Sequence, residues 1–480
     1  MNAATGRPVA SGSQVTEGAS ISIRIPTAAG ITVRLRLNGA TVAEASGGKD
    51  LVYTCTAGGD EMVFSVDSYI IGKPATTEGR NATENWDTAE NNPEQYQQYT
   101  SDVSVIYFEG TYYMYVSQNN TNLPWTNRNG VTTTRTGTDA WDWVVWTSQD
   151  LTHWTRQCIV ATLDDLRDVF GFDCFTKAFN WAPDVYQIGG KFYLVSTYWC
   201  TASGHDNPNY RATYGGEALD GHRATVIMVS DSPRGPFVPV TELCESGRDT
   251  DPAYRTGTPG HITPAGQDCI DSIIWFDPDG QPWLVWSDES TNYAAGTGTP
   301  TMQAAKLSDD LTRLTSAPIT LFEGMQTFAG STTNGTTDAP WLYTTSDGEI
   351  LMIWSSYWYG TAENSYCVVL SRYSGRTLDD GGTWTHEGIL YDARDASKSI
   401  TTRSPYYLGN ADYRASGGHA NTLRTPDGQL YLTLHLHMLE KASTDIARLK
   451  RPAFIALREE KNADGQTTLV WGLNSSVTDA

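Results

Sequence analysis

The 480-residue sequence lacks several features that would place it in a narrow class. It has no apolar run long enough to span a membrane, and its seven cysteines include no Cys-x-x-Cys pair and no zinc spacing. It is poor in positive charge, with 33 Lys and Arg against 55 Asp and Glu, which gives a formal net charge of −22. Nucleic acids and anionic membranes attract basic surfaces, so neither is expected as a partner. The positions of the cysteines leave open whether the chain forms one or two disulfide bonds.

A short hairpin unit recurs five times along the chain. In residues 184–194 an alternating strand is followed by Gly189-Gly190 and then by a strand rich in aromatic residues. Two glycines between alternating runs predict a tight hairpin, because such turns need positive φ angles. The polar residues that open the five units, at intervals of 67 to 87 residues, are Asp102, Asp184, Asp271, Asp338 and His419. This period is too long for a helical solenoid and suits a propeller blade with long loops.

A second repeat completes each unit. Apolar strands that end in a Ser-Asp-like turn follow the hairpins at residues 144–151, 226–233 and 304–311, and a weaker copy lies at 368–371. Four strands in each of five units predict an all-β chain with a five-bladed β-propeller. The segments 118–142 and 200–222 are predicted as long loops, and such loops on one face of a propeller often build its site.

The repeats occupy only part of the chain, so three regions are predicted. Residues 1–75 alternate with period two around an Asn38-Gly39 turn and predict a small β-sandwich, similar to Ig-like or chitobiase-terminal-like modules. Residues 76–98 are polar and irregular and are interpreted as a linker. Residues 99–475 form the predicted propeller. The first module is interpreted as a spacer, with sugar binding as the alternative.

The opening residues of the five units predict a site at one end of the propeller channel. The innermost strand of each blade starts near the axis, so four aspartates and one histidine converge there. Asx turns explain one or two aspartates at strand starts, but they explain five converging polar residues poorly. Carboxyl groups in a restricted pocket raise at least one pKa, which separates an acid from a base. Two carboxyl groups on opposite sides of a pocket are what glycosidic-bond cleavage requires.

The motifs resemble those of glycoside hydrolase family 43. The resemblance covers about residues 100–475 and depends on the five ordered units, on Trp181-Ala182-Pro183-Asp184 and on residues 230–237, which read Ser-Asp-Ser-Pro-Arg-Gly-Pro-Phe. It implies a five-bladed propeller that hydrolyses arabinofuranosides, xylosides or galactans with inversion. Fructan hydrolases of related propeller fold are a neighbouring alternative, but their Asn-Asp-Pro-Asn opening is absent.

The resemblance also implies roles for individual residues. Asp102 would be the general base, Asp271 the carboxylate that orients the acid and keeps its pKa high, and Asp338 the general acid. Base and acid of an inverting enzyme are expected about 6.5–9.5 Å apart. The residues expected to bind the sugar are Trp181, Asp184, Trp341 and His419. Further aromatic candidates, for which core packing is the alternative, are Tyr198, Trp199, Tyr357 and Trp358.

The sequence departs from the family pattern at the acid. The family usually has Glu where this chain has Asp338, which is one methylene shorter, so a tighter pocket, another acid such as Glu363 or a changed activity are the alternatives. Val103 and Ser272 stand where the family usually has Pro. No cofactor is expected to be required. The resemblance leaves open a calcium or other ion near the propeller axis, bound at His419.

The sequence therefore predicts an inverting hydrolase that removes arabinofuranosyl or xylosyl units from plant cell-wall polysaccharides or oligosaccharides. The alternatives are a catalytically impaired propeller that only binds carbohydrate, and a propeller glycosidase of galactan or fructan specificity. The expected partner is an arabinose- or xylose-containing glycan. The first residues lack the basic start and apolar core of a signal peptide. An extracellular, periplasmic or cell-envelope location is expected from the substrate class.

Overall fold

A computed structural model describes most of the predicted propeller and part of the region before it. The described residues are 16–25, 31–38, 40–46, 50–59, 62–70, 101–119, 123–127, 129–135, 141–151, 154–162, 179–199, 223–240, 267, 269–289, 298–325, 327–328, 331–333, 335–358, 366–395, 397–399, 401–402, 413–414, 416–438 and 449–473. The predicted linker, residues 76–98, lies outside them, and so does the loop at 200–222. Every regular element in the described ranges is a β-strand.

The N-terminal region contains two small antiparallel sheets. Its strands are β1 (Ser20–Ile25), β2 (Ile31–Leu37), β3 (Ala40–Ser46), β4 (Leu51–Thr56) and β5 (Phe64–Ile70). One sheet pairs β1 with β4, and the other has the order β3-β2-β5. The predicted hairpin joins β2 to β3 through Asn38, whose φ is 50°. Leu35 and Leu51, one from each sheet, are buried in a shared apolar cluster. The module boundary at residue 75 stays a prediction.

Five further sheets form the propeller and confirm the predicted fold. Blade 1 contains β6 (Ser101–Phe108), β7 (Thr111–Asn119), β8 (Leu123–Thr126), β9 (Thr132–Arg135), β10 (Trp141–Ser148) and β11 (Trp154–Ala161). Blade 2 contains β12 (Phe179–Ile188), β13 (Lys191–Trp199), β14 (Arg223–Ser230) and β15 (Val238–Pro239). Blade 3 contains β16 (Cys269–Phe276), β17 (Pro282–Asp288), β18 (Thr301–Lys306) and β19 (Ile319–Glu323).

The remaining blades follow the same plan. A short pair, β20 (Thr327–Phe328) and β21 (Ser331–Thr332), precedes blade 4, which contains β22 (Asp338–Thr344), β23 (Ile350–Tyr357), β24 (Tyr366–Tyr373) and β25 (Trp384–Asp392). A second pair, β26 (Thr401–Thr402) and β27 (Tyr413–Arg414), precedes blade 5, which contains β28 (Ser416–Arg424), β29 (Leu430–Met438), β30 (Leu449–Lys461) and β31 (Thr467–Trp471). Blades 2 to 5 have four antiparallel strands each, in chain order.

Blade 1 differs from the prediction in one respect. Part of the segment 118–142, which was predicted as a loop, forms the hairpin β8–β9, and β8 pairs in parallel with β11. Blade 1 therefore has six strands, in the order β6-β7-β10-β11-β8-β9. The segment has the length of a loop, but its Thr132–Arg135 stretch contains three β-branched threonines, which favour a strand, and it pairs with Leu123–Thr126.

The ring closes through packing between blade 5 and blade 1. The innermost strands contact one another in the cyclic order β6, β12, β16, β22 and β28, and β28 returns to β6. Each blade consists of consecutive strands of its own, so among the described strands none is shared across this last seam. Apolar side chains of both blades form one cluster there, in which Trp154 stacks on Phe454 at 5.8 Å. We call this contact the closing seam.

Each innermost strand carries the same bulge near its start. The five residues with positive φ in these bulges are Asp102 (55°), Ala182 (47°), Asp271 (55°), Ala339 (47°) and His419 (49°). At each of them the pairing with the second strand of the blade is interrupted. Left-handed backbone is uncommon outside glycine, and Asp and His adopt it more readily than most residues. The bulges therefore define which positions of the five blades are equivalent.

This equivalence corrects the register predicted from the sequence. Asp102, Asp271 and His419 do occupy equivalent positions, but Asp184 lies two residues after that position in its blade and Asp338 lies one residue before it. The sequence prediction aligned the five units by the polar residue at the start of each one. In blades 2 and 4, however, the left-handed position is occupied by an alanine, Ala182 or Ala339.

The hairpin turns agree with the prediction. Gly189 and Gly190 both have positive φ, at 57° and 81°, as a two-residue turn between twisted strands requires. Of the cysteines within the described residues, Cys55, Cys158 and Cys367 are free thiols. In the described ranges there is no helix that is long and apolar enough to cross a membrane.

Candidate active site

At one end of the propeller channel, an imidazole lies between two carboxyl groups. Nδ1 of His419 lies 3.1 Å from Oδ2 of Asp271 and 3.5 Å from Oδ1 of Asp102. All three side chains are buried. Burial alone would lower the pKa of His419, but the negative charges of Asp271 and Asp102 outweigh it and raise the pKa to about 9. The imidazole is therefore positively charged at neutral pH.

Asp338 and Asp271 differ in charge although both are buried. Burial, and then the negative charge of Asp271, raise the pKa of Asp338 well above its usual range. Burial acts in the same direction on Asp271, but the positive charge of His419 outweighs it, so the pKa of Asp271 lies below its ordinary value. At neutral pH Asp338 therefore carries a proton next to an ionised Asp271. This separation of two carboxyl groups is typical of acid–base catalysis.

Two side chains hold the carboxyl group of Asp338. Tyr366 donates a hydrogen bond of 2.9 Å from its hydroxyl to Oδ2. The side chain of Asp271 lies within hydrogen-bonding reach, and this contact helps to raise the pKa of Asp338. Oδ1 is buried and accepts no hydrogen bond from a donor among the described residues. The proton of Asp338 is therefore held in a buried contact beside the ionised Asp271.

A glycine explains why Tyr366 can reach Asp338. A Cβ at Gly418 would lie 2.4 Å from the ring of Tyr366. The ring of Tyr366 also packs against Tyr357, with centroids 3.9 Å apart. Gly418, directly before His419, therefore leaves room for the side chain that holds the acid.

Asp184 lies within the cluster but makes different contacts. Its Oδ1 accepts a hydrogen bond of 3.1 Å from Nδ2 of Asn421, which also donates to the carbonyl of Val103 at 2.9 Å. Burial raises the pKa of Asp184 to about 7, against the opposing effects of His419 and of hydrogen bonds from Ser104 and Asn421. The described contacts of Asp184 are thus with other parts of the protein. Its predicted role in binding sugar stays a prediction.

The residues predicted to stack on sugar rings differ in their burial and in their contacts. Trp181, at the start of blade 2, is half-buried. Trp341 stacks on Tyr186 at 6.2 Å, and its indole nitrogen donates to Thr422 at 2.8 Å, so it joins three blades. Trp358 is buried beneath the guanidinium of Arg394. The side chains of Tyr198 and Trp199, and the alternative acid Glu363, lie outside the described residues.

The described residues contain no group of three or more His, Cys, Asp or Glu side chains that could hold a metal ion. Nδ1 of His419 is already engaged by the two aspartates. The ion predicted at His419 stays a prediction.

Several residues of the site could not be identified from the sequence. Tyr366 and Asn421 have no motif around them. Glu289 forms an ion pair of 2.7 Å with Arg223 and contributes to the raised pKa of Asp338. His435 interrupts an apolar strand of blade 5, in which a polar side chain needs a partner, but the sequence does not indicate which partner it has.

A five-bladed propeller with a protonated carboxyl group, two further aspartates and a histidine gathered at one end of its channel has the architecture of a propeller glycosidase. The family model described as glycosyl hydrolases family 43 matches residues 91–465. The chain therefore belongs to glycoside hydrolase family 43 and is an O-glycosyl hydrolase, with a carbohydrate as its substrate.

The chain also matches solved structures of glycoside-degrading enzymes at low sequence identity. An endo-arabinase from Bacteroides thetaiotaomicron is 22% identical, over 76% of this chain and 96% of that chain, with a TM-score of 0.46. A thermostable family-43 glycoside hydrolase is 18% identical, over 78% and 93%, with a TM-score of 0.48. An α-L-arabinofuranosidase from Lactobacillus brevis is 13% identical, over 77% and 93%, with a TM-score of 0.47. A search of curated proteins finds no match.

Proposed function

We propose that this hydrolase acts with inversion and removes arabinofuranosyl or xylosyl units from plant cell-wall polysaccharides or oligosaccharides. The observation that carries the proposal is the state of Asp338, a buried carboxyl group that keeps its proton beside the ionised Asp271. A general acid needs this property, because it must still hold a proton at the working pH.

In the proposed reaction Asp102 is the general base. Oδ2 of Asp102 accepts a hydrogen bond of 2.7 Å from Ser101, and Oδ1 faces the imidazolium of His419. A water molecule attacks the anomeric carbon while Asp102 takes one of its protons. The bond between the anomeric carbon and the leaving oxygen breaks, and its electron pair goes to that oxygen. Attack from the opposite face inverts the configuration.

Asp338 completes the reaction as the general acid. Because Tyr366 donates to Oδ2, the proton of the acid belongs on Oδ1, from which it passes to the leaving oxygen. The ionised Asp271 keeps the pKa of Asp338 high, so that the acid is protonated again after each turnover. The mechanism uses only side chains, and no cofactor is part of it.

The pentose specificity and the location are further parts of the proposal. The specificity follows from the likeness of Trp181-Ala182-Pro183-Asp184 and of residues 230–237 to motifs of the family. Half-buried Trp181 would offer an indole face to the sugar. The location follows from the substrate class, because a substrate in plant cell walls would require an extracellular, periplasmic or cell-envelope enzyme.

The experiment that tests the proposal is hydrolysis of a substrate panel. The panel contains 4-nitrophenyl α-L-arabinofuranoside and β-D-xyloside, arabinoxylan, arabinan, galactan and a fructan, and proton NMR records the anomer released first. We expect arabinose or xylose of inverted configuration from the intact enzyme, and no turnover from Asp102→Asn, although that variant should still bind the sugar. Release of galactose or fructose, or retained configuration, would refute the substrate or the stereochemistry. Full activity of Asp102→Asn would refute the assignment of the base.

A further inference from the structure

We infer that His435 is a positioning residue for the general base, because it holds the main chain of Asp102 in place across the closing seam. The inference depends on the role proposed for Asp102. Its basis is a hydrogen bond that recurs between neighbouring blades. The acceptor at the closing seam is an imidazole nitrogen, whereas at the other seams described below it is a hydroxyl group.

The recurring contact joins the bulge of one blade to the second strand of the blade before it. The main-chain N–H of Ala182 donates to Ser117 at 2.8 Å, that of Asp271 to Thr197 at 2.9 Å, and that of His419 to Ser355 at 3.0 Å. The main-chain N–H of Asp102 donates to Nδ1 of His435 at 3.1 Å. Each of these contacts satisfies a buried N–H that the bulge removes from its own sheet.

The acceptors occupy equivalent positions in their blades. Each one pairs with the residue just before the left-handed position of its own blade, and the five residues at this point are Ser117, Thr197, Ser287, Ser355 and His435. Four of them carry a hydroxyl group. The hydroxyl of Ser287 instead forms a hydrogen bond with Thr337, which lies just before β22, the strand that begins with Asp338. The imidazole is therefore the exception, and it stands directly before the blade that carries Asp102.

The hydrogen bond indicates the tautomer of His435. A main-chain N–H can only donate, so in this contact Nδ1 of His435 is the unprotonated acceptor and the ring proton is on Nε2. In this tautomer the 3.3 Å approach of Nδ1 to Oδ1 of Asp102 is a contact between two acceptors and not an ion pair. The ring of His435 stands edge-on to Tyr366 at 5.7 Å. His435 therefore contacts both the residue proposed as the base and the tyrosine that holds the acid.

The position of this residue at the closing seam gives it a function that the other four do not have. Within the described residues, blades 1 and 5 meet through side-chain and main-chain contacts, whereas successive blades are also joined by the chain itself. Nδ1 is one bond further from the backbone than a serine hydroxyl, which extends its reach across the seam. A displaced seam would move Asp102 relative to Asp338, and the distance between base and acid must leave room for one water molecule.

The test uses two substitutions of equal size at position 435. In His435→Asn the side-chain oxygen is as many bonds from the backbone as Nδ1 and can accept the N–H of Asp102, whereas His435→Leu has the same shape without an acceptor. Ser117→Ala removes the equivalent bond at the seam between blades 1 and 2 and serves as the control. For each variant, kcat, KM, thermal stability and hydrogen exchange of the peptide that contains Asp102 are measured in the full chain.

We expect kcat of His435→Leu to fall by about 100-fold with little change in KM, because a displacement of the order of 1 Å can have that effect. His435→Asn should recover most of the loss, and Ser117→Ala should lower the melting temperature but keep kcat. Faster exchange of the Asp102 peptide is expected in His435→Leu only. If His435→Leu and His435→Asn have the same kcat, or if exchange is unchanged in His435→Leu, the inference is overturned. If the intact enzyme hydrolyses none of the panel substrates, the proposed function fails, and hydrogen exchange alone decides whether His435 holds Asp102.

Discussion

Replacement of Asp184 by asparagine should stabilise the protein at neutral and higher pH. Asp184 is buried, and burial raises its pKa to about 7 from an ordinary value of 3.8. Its Oδ1 accepts from Asn421, and an asparagine at position 184 would keep that acceptor. The substitution therefore removes the buried charge while it retains the hydrogen bond.

The sign and size of the effect follow from the two pKa values. A carboxyl group whose pKa is higher in the folded state favours the folded state only while it holds its proton, so stability is lost as the pH rises from about 4 to about 7. A shift of about three units corresponds to roughly 4 kcal/mol above pH 7. About 1.5 kcal/mol of this loss in the free energy of unfolding has already occurred at pH 5, so the loss between pH 5 and pH 8 is roughly 2.5 kcal/mol. The free energy of unfolding of Asp184→Asn should not fall by this amount between the two pH values.

The assay is urea unfolding, followed by tryptophan fluorescence, at pH 5 and pH 8. The free energy of unfolding of Asp184→Asn should exceed that of the unaltered protein by about 2.5 kcal/mol more at pH 8 than at pH 5. Asp184→Ala is the control, because it also removes the charge but loses the bond from Asn421, and it should be less stable than Asp184→Asn at both pH values. An advantage of Asp184→Asn that is equal at both pH values would refute the reasoning, and so would a less stable variant at pH 8.

Two further predictions concern the acid. Asp338→Ala should lower kcat about 10²- to 10⁴-fold on natural linkages but much less on 4-nitrophenyl glycosides, whose leaving group needs no proton. Equal losses on both substrate types would point to a structural role. In the pH profile of kcat/KM, Asp271→Asn should move the basic limb to lower pH, because the charge of Asp271 raises the pKa of Asp338. Tyr366→Phe should move it to higher pH, because the hydrogen bond from Tyr366 lowers that pKa. A shift of either variant opposite to its prediction would contradict the role assigned to that residue.

The fold could be predicted from the sequence because its hairpins have a local cause. Gly189 and Gly190 provide the positive φ angles of the turn, and the alternating strands around them bury one face each. The register of the inner strands could not be predicted in the same way. Sequence reasoning aligned Asp184 and Asp338 with Asp102 by residue type, whereas the equivalence depends on a left-handed bulge that alanine also occupies at residues 182 and 339.

The members of the site were predictable to different degrees. Asp102, Asp271, Asp338 and His419 belong to repeated units, and the structure brings them together. Tyr366 acts through a contact between strands β22 and β24, which are separated by β23, and no local pattern marks such a contact. His435 is recognisable only by comparison of five equivalent positions, which requires the corrected register.

The corrected register also affects how the short side chain of Asp338 is interpreted. Asp102, Asp271 and His419 extend from the left-handed point of their bulges, whereas Asp338 extends from the residue before it, where the strand still pairs with Ser355. The acid therefore starts from a different point of the backbone than the base does, and side-chain length alone does not set its reach. Tyr366 and the charge of Asp271 act on the carboxyl group where it stands. An aspartate held in this way has the protonation state that proton donation requires, so the missing methylene is not by itself a reason to expect an inactive enzyme.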